Sequence, residues 1–216
     1  RNPAHPLSCD RPLTASGLAS PLARLTNQQY ENTLRDLFAG VVADGLPKQN
    51  ELPPELRASL FTNNAQQQSS TADLIRSVEA GATAAARKAA ADPAKLLACG
   101  KDLDKEESAC LDVFIPRFGG RAFRRPLTGD ETKRMKDFWS DLRKDNDVRT
   151  SLETLVAGIL QSPQFLYRFE EGQGAVDRDQ GRALSSYEVA SRLSYFLWDT
   201  MPDEQLFAAA EAGKLL

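Results

Sequence analysis

VRTSLETLVAGILQ, residues 148–161, carries Leu152, Leu155, Val156, Ile159 and Leu160 at helical spacing. Apolar residues recurring three and four apart put one continuous stripe on one face of an α-helix. This stripe is broad and free of charge, which predicts a central core helix for other elements to pack against. Ser162-Pro163 marks its end, because the residue before a proline is pushed out of helical backbone.

Working outward toward the N-terminus, Thr128 with Glu131 forms a capping box that opens a helix carrying Met135, Phe138, Trp139 and Leu142. Before it, residues 109–123 place Leu111, Phe114, Ile115 and Phe118 on one side, with a kink or interruption expected at Pro116. An alanine-rich helix spans residues 71–91, apolar at Leu74, Ile75, Val78 and Ala82, and stops before Asp92-Pro93. The stretch RLTNQQYENTLRDLFAG, residues 24–40, is the best-punctuated helix: Thr26 and Gln29 form its capping box, Leu25 and Tyr30 its hydrophobic staple, and Gly40 its stop. Between these two lies a long loop, residues 41–70, with Pro47, Pro53, Pro54 and one short helical turn.

Toward the C-terminus, residues 172–183 are polar and contain glycine, reading as a hairpin-like loop or a linker. A third capping box, Ser185 with Glu188, then opens a helix whose expected buried stripe is Val189, Leu193, Phe196 and Leu197. Trp198 is expected as a packing anchor, and a last helix is expected from Pro202. The fold class is therefore all-α: an irregular multi-helix bundle with long loops and one disulfide. Its expected organisation is a tail (1–23), a helical domain (24–171), the loop or linker (172–183), and the start of a second, truncated helical domain (184–216).

With 41% hydrophobic and 26% charged residues and a mean hydropathy of -0.43, the composition is that of a globular chain and not of a disordered one. No apolar run reaches the roughly 18 residues of a transmembrane helix. A net charge of -3 argues against nucleic acid as a partner, since no global positive field exists to collect phosphates. Cys99 and Cys110 lie eleven positions apart across a polar stretch expected to be a loop, a spacing that suits a disulfide; the other reading is two unrelated thiols. A disulfide would place the protein in an oxidising compartment, and Cys9 would be left for another segment or partner.

Chemistry is thinly signalled. Arg121, Arg124 and Arg125, with Arg117 nearby, are candidates to grip a carboxylate, phosphate or haem propionate, because guanidinium forks match such anions bidentately. The competing reading pairs them with acids such as Asp130 and Glu131. No metal site is expected, since His5 is the single histidine and Asp141, Asp145 and Asp147 lack the spacing of a calcium loop. Met135 reads as core rather than as a haem ligand.

Four stretches together carry a family resemblance: RLTNQQYENTLRDLF (24–38), FGGRAFRRPLTGDE (118–131), LQSPQFLYRFE (160–170) and LSSYEVASRLSYFLWDTMPDEQL (184–206). In this order, and over nearly the whole chain, they resemble exported planctomycete and myxobacterial proteins of unknown function, the planctomycete cytochrome-c-associated proteins. Cys99 and Cys110 fall where those proteins carry a cysteine pair. The resemblance implies an extracytoplasmic location, a match to the N-terminal portion of longer proteins, and a protein partner or further domain, with haem on that partner or domain. It brings no catalytic residue with it, and the chain contains no Cys-x-x-Cys-His haem attachment site.

Three functions follow as alternatives. A part of a redox assembly predicts a chromophore in the native complex. A structural or binding module predicts an apolar interface around the C-terminal helix. A hydrolase predicts a cleft with two carboxylates of raised pKa.

Overall fold

The computed structural model describes residues 22–55, 65, 68, 70–99, 103–177 and 181–215. The tail up to Pro21, with His5 and Cys9, and much of the second half of the 41–70 loop lie outside the described residues.

In chain order the elements are β1 (Ala23–Arg24), α1 (Asn27–Leu37), a 3-10 turn (Gln49–Glu51), α2 (Ala72–Ala89), α3 (Pro93–Leu97), α4 (Leu103–Phe123), α5 (Gly129–Leu142), α6 (Val148–Gln161), α7 (Pro163–Leu166), β2 (Tyr167–Arg168), β3 (Gln173–Asp177), β4 (Gly181–Ala183), α8 (Ser186–Leu197) and α9 (Glu204–Glu211). The fold is all-α apart from these short strands.

The charge-free stripe of α6 does become the centre. Leu152, Leu155, Val156 and Leu160 are sealed from solvent, and Asp147 caps the helix by accepting the Thr150 N–H at 2.7 Å. Helix α2 runs along α6 with Ala82, Ala85, Ala86 and Ala89 buried, small side chains that let the two backbones approach closely. On the other flanks, α1 contributes Tyr30, Leu34 and Phe38, and α4 contributes Phe114, Ile115 and Phe118. The Phe114 and Phe118 rings stack at 5.1 Å, and Phe38 meets Phe118 at 5.6 Å. All three expected capping boxes form, at Thr26, Thr128 and Ser185.

Cys99 and Cys110 are bonded, with Cα atoms 5.2 Å apart, and fasten the end of α3 to α4. The stretch between them is not all loop, however, because α4 begins at Leu103 and not near residue 109. Its backbone departs from helical geometry at Glu106 (φ -124°, ψ 26°), and no such departure occurs at Pro116. Pro116 lies on the exposed side of α4, as does Asp112 one turn earlier, so solvent can serve the carbonyl that a proline leaves without its N–H partner.

Two short antiparallel pairs complete the frame. β1 pairs with β2, Ala23 opposite Arg168 and Arg24 opposite Tyr167, which ties the entry to α1 to the exit from α7. β3 pairs with β4 antiparallel, Gln173 opposite Ala183 and Asp177 opposite Gly181, within the polar segment. The last helix starts later than Pro202: Asp203 supplies the cap, accepting the Leu206 N–H at 2.8 Å, and α9 runs from Glu204.

Helix α8 overturns one expectation outright. Its buried residues are Ser186, Ala190, Ser194 and Tyr195, while Leu193, Leu197 and above all Phe196, 83% exposed, face solvent. Trp198, expected as an anchor, is 61% exposed. The physical reason is that α1 offers this region a polar docking face. The Thr33 hydroxyl meets the Tyr195 hydroxyl at 2.9 Å, Gln29 Nε2 donates to Asp199 Oδ1 at 2.8 Å, and Asn32 Nδ2 donates to the Asp199 carbonyl at 3.1 Å. Thr200 Oγ1 adds a bond to Asp36 Oδ2 at 2.6 Å, and Ser194 Oγ holds the Thr200 carbonyl at 2.8 Å. Polar groups bury favourably only where partners wait, so the polar face of α8 turns inward here and its apolar residues turn out.

Candidate functional site

The FGGRAFRRPLT motif ends α4 and turns sharply into α5. The turn is close: a Cβ on Gly119 would lie 2.7 Å from Leu127 Cδ1, so that glycine makes room for Leu127 to fold back. Arg124 sits at the corner with φ +58°, in the left-handed region that side chains rarely occupy.

The three candidate arginines do not converge on one point; each turns to a different acceptor. Arg121 NH2 donates to the Asp36 carbonyl of α1 at 3.0 Å, and its burial lowers the guanidinium's pKa. Arg124 is buried. Its NH1 donates to the carbonyls of Ala122 (3.1 Å) and Phe165 (3.0 Å), and its NH2 to those of Gln164 (2.8 Å) and Tyr167 (2.7 Å). These carbonyls belong to the closing turn of α4 and to the segment from α7 into β2, where backbone oxygens left over by a short helix carry partial negative charge. Arg124 is thus a pin between two chain ends.

Arg125 forms the acid pair. Its NH1 and NH2 grip Glu131 Oε2 and Oε1 at 2.9 and 2.8 Å, and Glu131 also accepts the Thr128 N–H at 2.8 Å. Hydrogen bonding from Arg125 foremost, then from Thr128, holds the Glu131 carboxyl down at about 2 against the opposing effect of burial. Arg117 is likewise occupied, on the Leu96 and Leu97 carbonyls.

Beside this corner lies a cleft of ≈ 420 Å³ between the α4–α5 turn and the start of α8. Arg124 and Arg125 line it; Arg121 is absent from its lining. Gln164, Tyr167, Phe169, Glu171, Tyr187 and Ser191 line it too, with Glu188, which the sequence marks as a capping-box residue. Glu188 is the best-held acid there. Burial pushes its pKa up, but N–H groups of Ser185 (2.6 Å), Gly172 (3.0 Å) and Glu171 (2.7 Å) outweigh it, and the net direction is down. Behind the cleft wall, Arg124 and Arg168 lie over the Tyr195 ring, 5.8 and 5.6 Å from its centroid.

The Glu188 carboxyl of this cleft is held below its ordinary pKa, the opposite direction from the raised pair that a hydrolase predicts. Burial raises the pKa of Glu55, but that acid sits elsewhere, accepting from Arg24 NH2 (3.2 Å) and the Asn27 N–H (3.0 Å). No group of three or more metal-binding side chains occurs among the described residues, and no described helix is long and apolar enough to cross a membrane.

Fold and site together define a disulfide-fastened helical chain laid down in three successive segments, each bonded to the others through polar contacts. Those segments match three domain families in turn: PSD3, a protein of unknown function (DUF1587), over residues 23–91; PSD5 (DUF1595) over 110–170; and PSD4 (DUF1592) over 184–216. Each match covers less than half of the chain, and jointly they support the planctomycete cytochrome-c-associated family that the four motifs resemble. No curated protein and no solved structure matches the chain. The Arg124 pin lies wholly within the PSD5 segment, whereas the contacts of Gln29 and Asn32 with Asp199 join PSD3 to PSD4.

Proposed function

We propose that this chain is a docking element of an extracytoplasmic, multi-domain protein that works beside a haem-containing redox partner, and that it contributes a surface and not a reactive group. The observation that carries the reading is the apolar rim at the end of α8: Leu193, Phe196, Leu197 and Trp198 are all exposed, within six residues of one another. A contiguous apolar rim on an otherwise polar helix is the mark of a surface meant to be covered. The site side chains support the same reading, because Arg124, Arg125 and Glu188 spend their charges on internal partners. The disulfide agrees with an oxidising compartment. Haem as the partner's cofactor rests on the family resemblance.

The test is an absorption spectrum, oxidised and then reduced, of the protein isolated from its native source with its partners attached, for the wild type and for Phe196→Glu. Haem bands that accompany the wild type and are lost with the variant support the reading. Bands that stay with Phe196→Glu remove the rim from it, and a featureless wild-type spectrum leaves a binding module without haem.

A further inference from the structure

The cleft beside the FRRPLT turn has a chemistry of its own, separate from the apolar rim of α8. Strand β2 is extended, so successive side chains point to opposite sides. Arg168 turns toward Tyr195, and the residue after it, Phe169, turns into the cleft. Tyr187 reaches the same space from α8, supported from behind by the Phe207 ring at 5.1 Å. Phe169 and Tyr187 are both only half-buried. They are flanked by Gln164, Thr128, Ser191 and Glu171, which offer amide, hydroxyl and carboxylate groups.

The cleft is lined by two arginines and two glutamates, Arg124, Arg125, Glu171 and Glu188, so neither an anion nor a cation finds a field of one sign there. The Arg125 guanidinium is neutralised by a bidentate bond to Glu131, and the four bonds of Arg124 go to backbone carbonyls. The acid at the mouth, Glu171, is exposed and would repel a second negative group. A peptide bound by strand addition would need a longer free edge than β2, which has two residues and pairs with β1.

What remains is an uncharged molecule with flat apolar faces for the rings and many hydroxyls for the mixed donors and acceptors. We propose that this cleft binds a neutral saccharide, with Phe169 and Tyr187 stacking on sugar faces and Gln164, Ser191 and Glu171 bonding its hydroxyls. The volume, ≈ 420 Å³, falls in the roughly 300–1,000 Å³ range of small-molecule pockets and suits a short oligosaccharide stretch.

The experiment titrates the intact chain by calorimetry with neutral hexasaccharides (cellohexaose, xylohexaose, maltohexaose and chitohexaose) and with acidic hexagalacturonate. At least one neutral sugar is expected to bind saturably. Phe169→Ala and Tyr187→Ala should each weaken it about tenfold, the scale of one lost ring contact. Tyr187→Phe, which keeps the ring, should retain most of the affinity and guards against a variant that fails to fold. Trp198→Ala should leave sugar binding unchanged, so the outcome stands apart from the fate of the docking surface. The proposal is overturned if no neutral sugar saturates, if hexagalacturonate binds as well or better, or if binding ignores both alanine variants.

Discussion

Helices α1 and α8 open alike, each with a capping box in which Thr26 or Ser185 exchanges hydrogen bonds with a Gln or Glu three residues on. Each carries an apolar stripe on one face and small polar residues on the other. In α1 the apolar stripe is the core: Tyr30, Leu34 and Phe38 are sealed. In α8 the stripe is the surface, and Ser186, Ser194 and the Tyr195 hydroxyl are what the protein buries or bonds inside. The contrast teaches that periodicity locates an apolar face but does not say what that face meets. Helix α1 settles the matter for both, since its apolar side meets α4 and its polar side meets the Asp199 turn.

The largest effect should come from the corner that holds the body together. Arg124→Ala removes a cation from four carbonyls and should cost about 4 kcal/mol, read as a lowered urea midpoint; Arg124→Lys should recover only part, because an ammonium cannot reach two chain ends at once. The comparison itself is broken or kept by a pair of substitutions. Leu34→Ala in α1 should cost about 3 kcal/mol through an unfilled cavity, whereas Leu197→Ala in α8 should stay within about 0.5 kcal/mol. Equal losses would mean that the two stripes are buried alike.

Reduction of the Cys99 to Cys110 bond should cost about 2–3 kcal/mol by freeing a short loop in the unfolded chain, with a mass gain of two hydrogens on the linked peptide. A smaller effect than the disulfide's belongs to Glu131. Its folded pKa lies below its ordinary value of 4.5, at about 2, so its pairing with Arg125 stabilises the protein above the ordinary value. That contribution should fade as pH falls from there toward about 2. Glu131→Gln should cost about 1 kcal/mol at neutral pH and flatten this part of the acid denaturation curve.

Local chemistry was legible. The three capping boxes, the α6 boundaries and the Cys99 to Cys110 bond follow from residues within a dozen positions of each other. The site was half legible. Its arginines stand out as a cluster, and the pairing of Arg125 with Glu131 is a short-range event across one turn. Phe169, Tyr187 and Gln164 lie within the quoted stretches, but nothing in their spacing brings them to one cleft, since only packing sets 164–169 against α8.

The sequence by itself determined the longer helical segments, though not the short α3 and α7 or the first turns of α4, and that one face of each long helix is apolar, because capping, proline geometry and helical periodicity act over one to four residues. Only the tertiary structure decided that Arg124 spends its donors on carbonyls 40 to 43 residues away, and that Gln29 of α1 binds Asp199, 170 residues distant. Such partners are chosen by which chain ends the packed helices bring together, and a buried donor takes whatever acceptor it finds there.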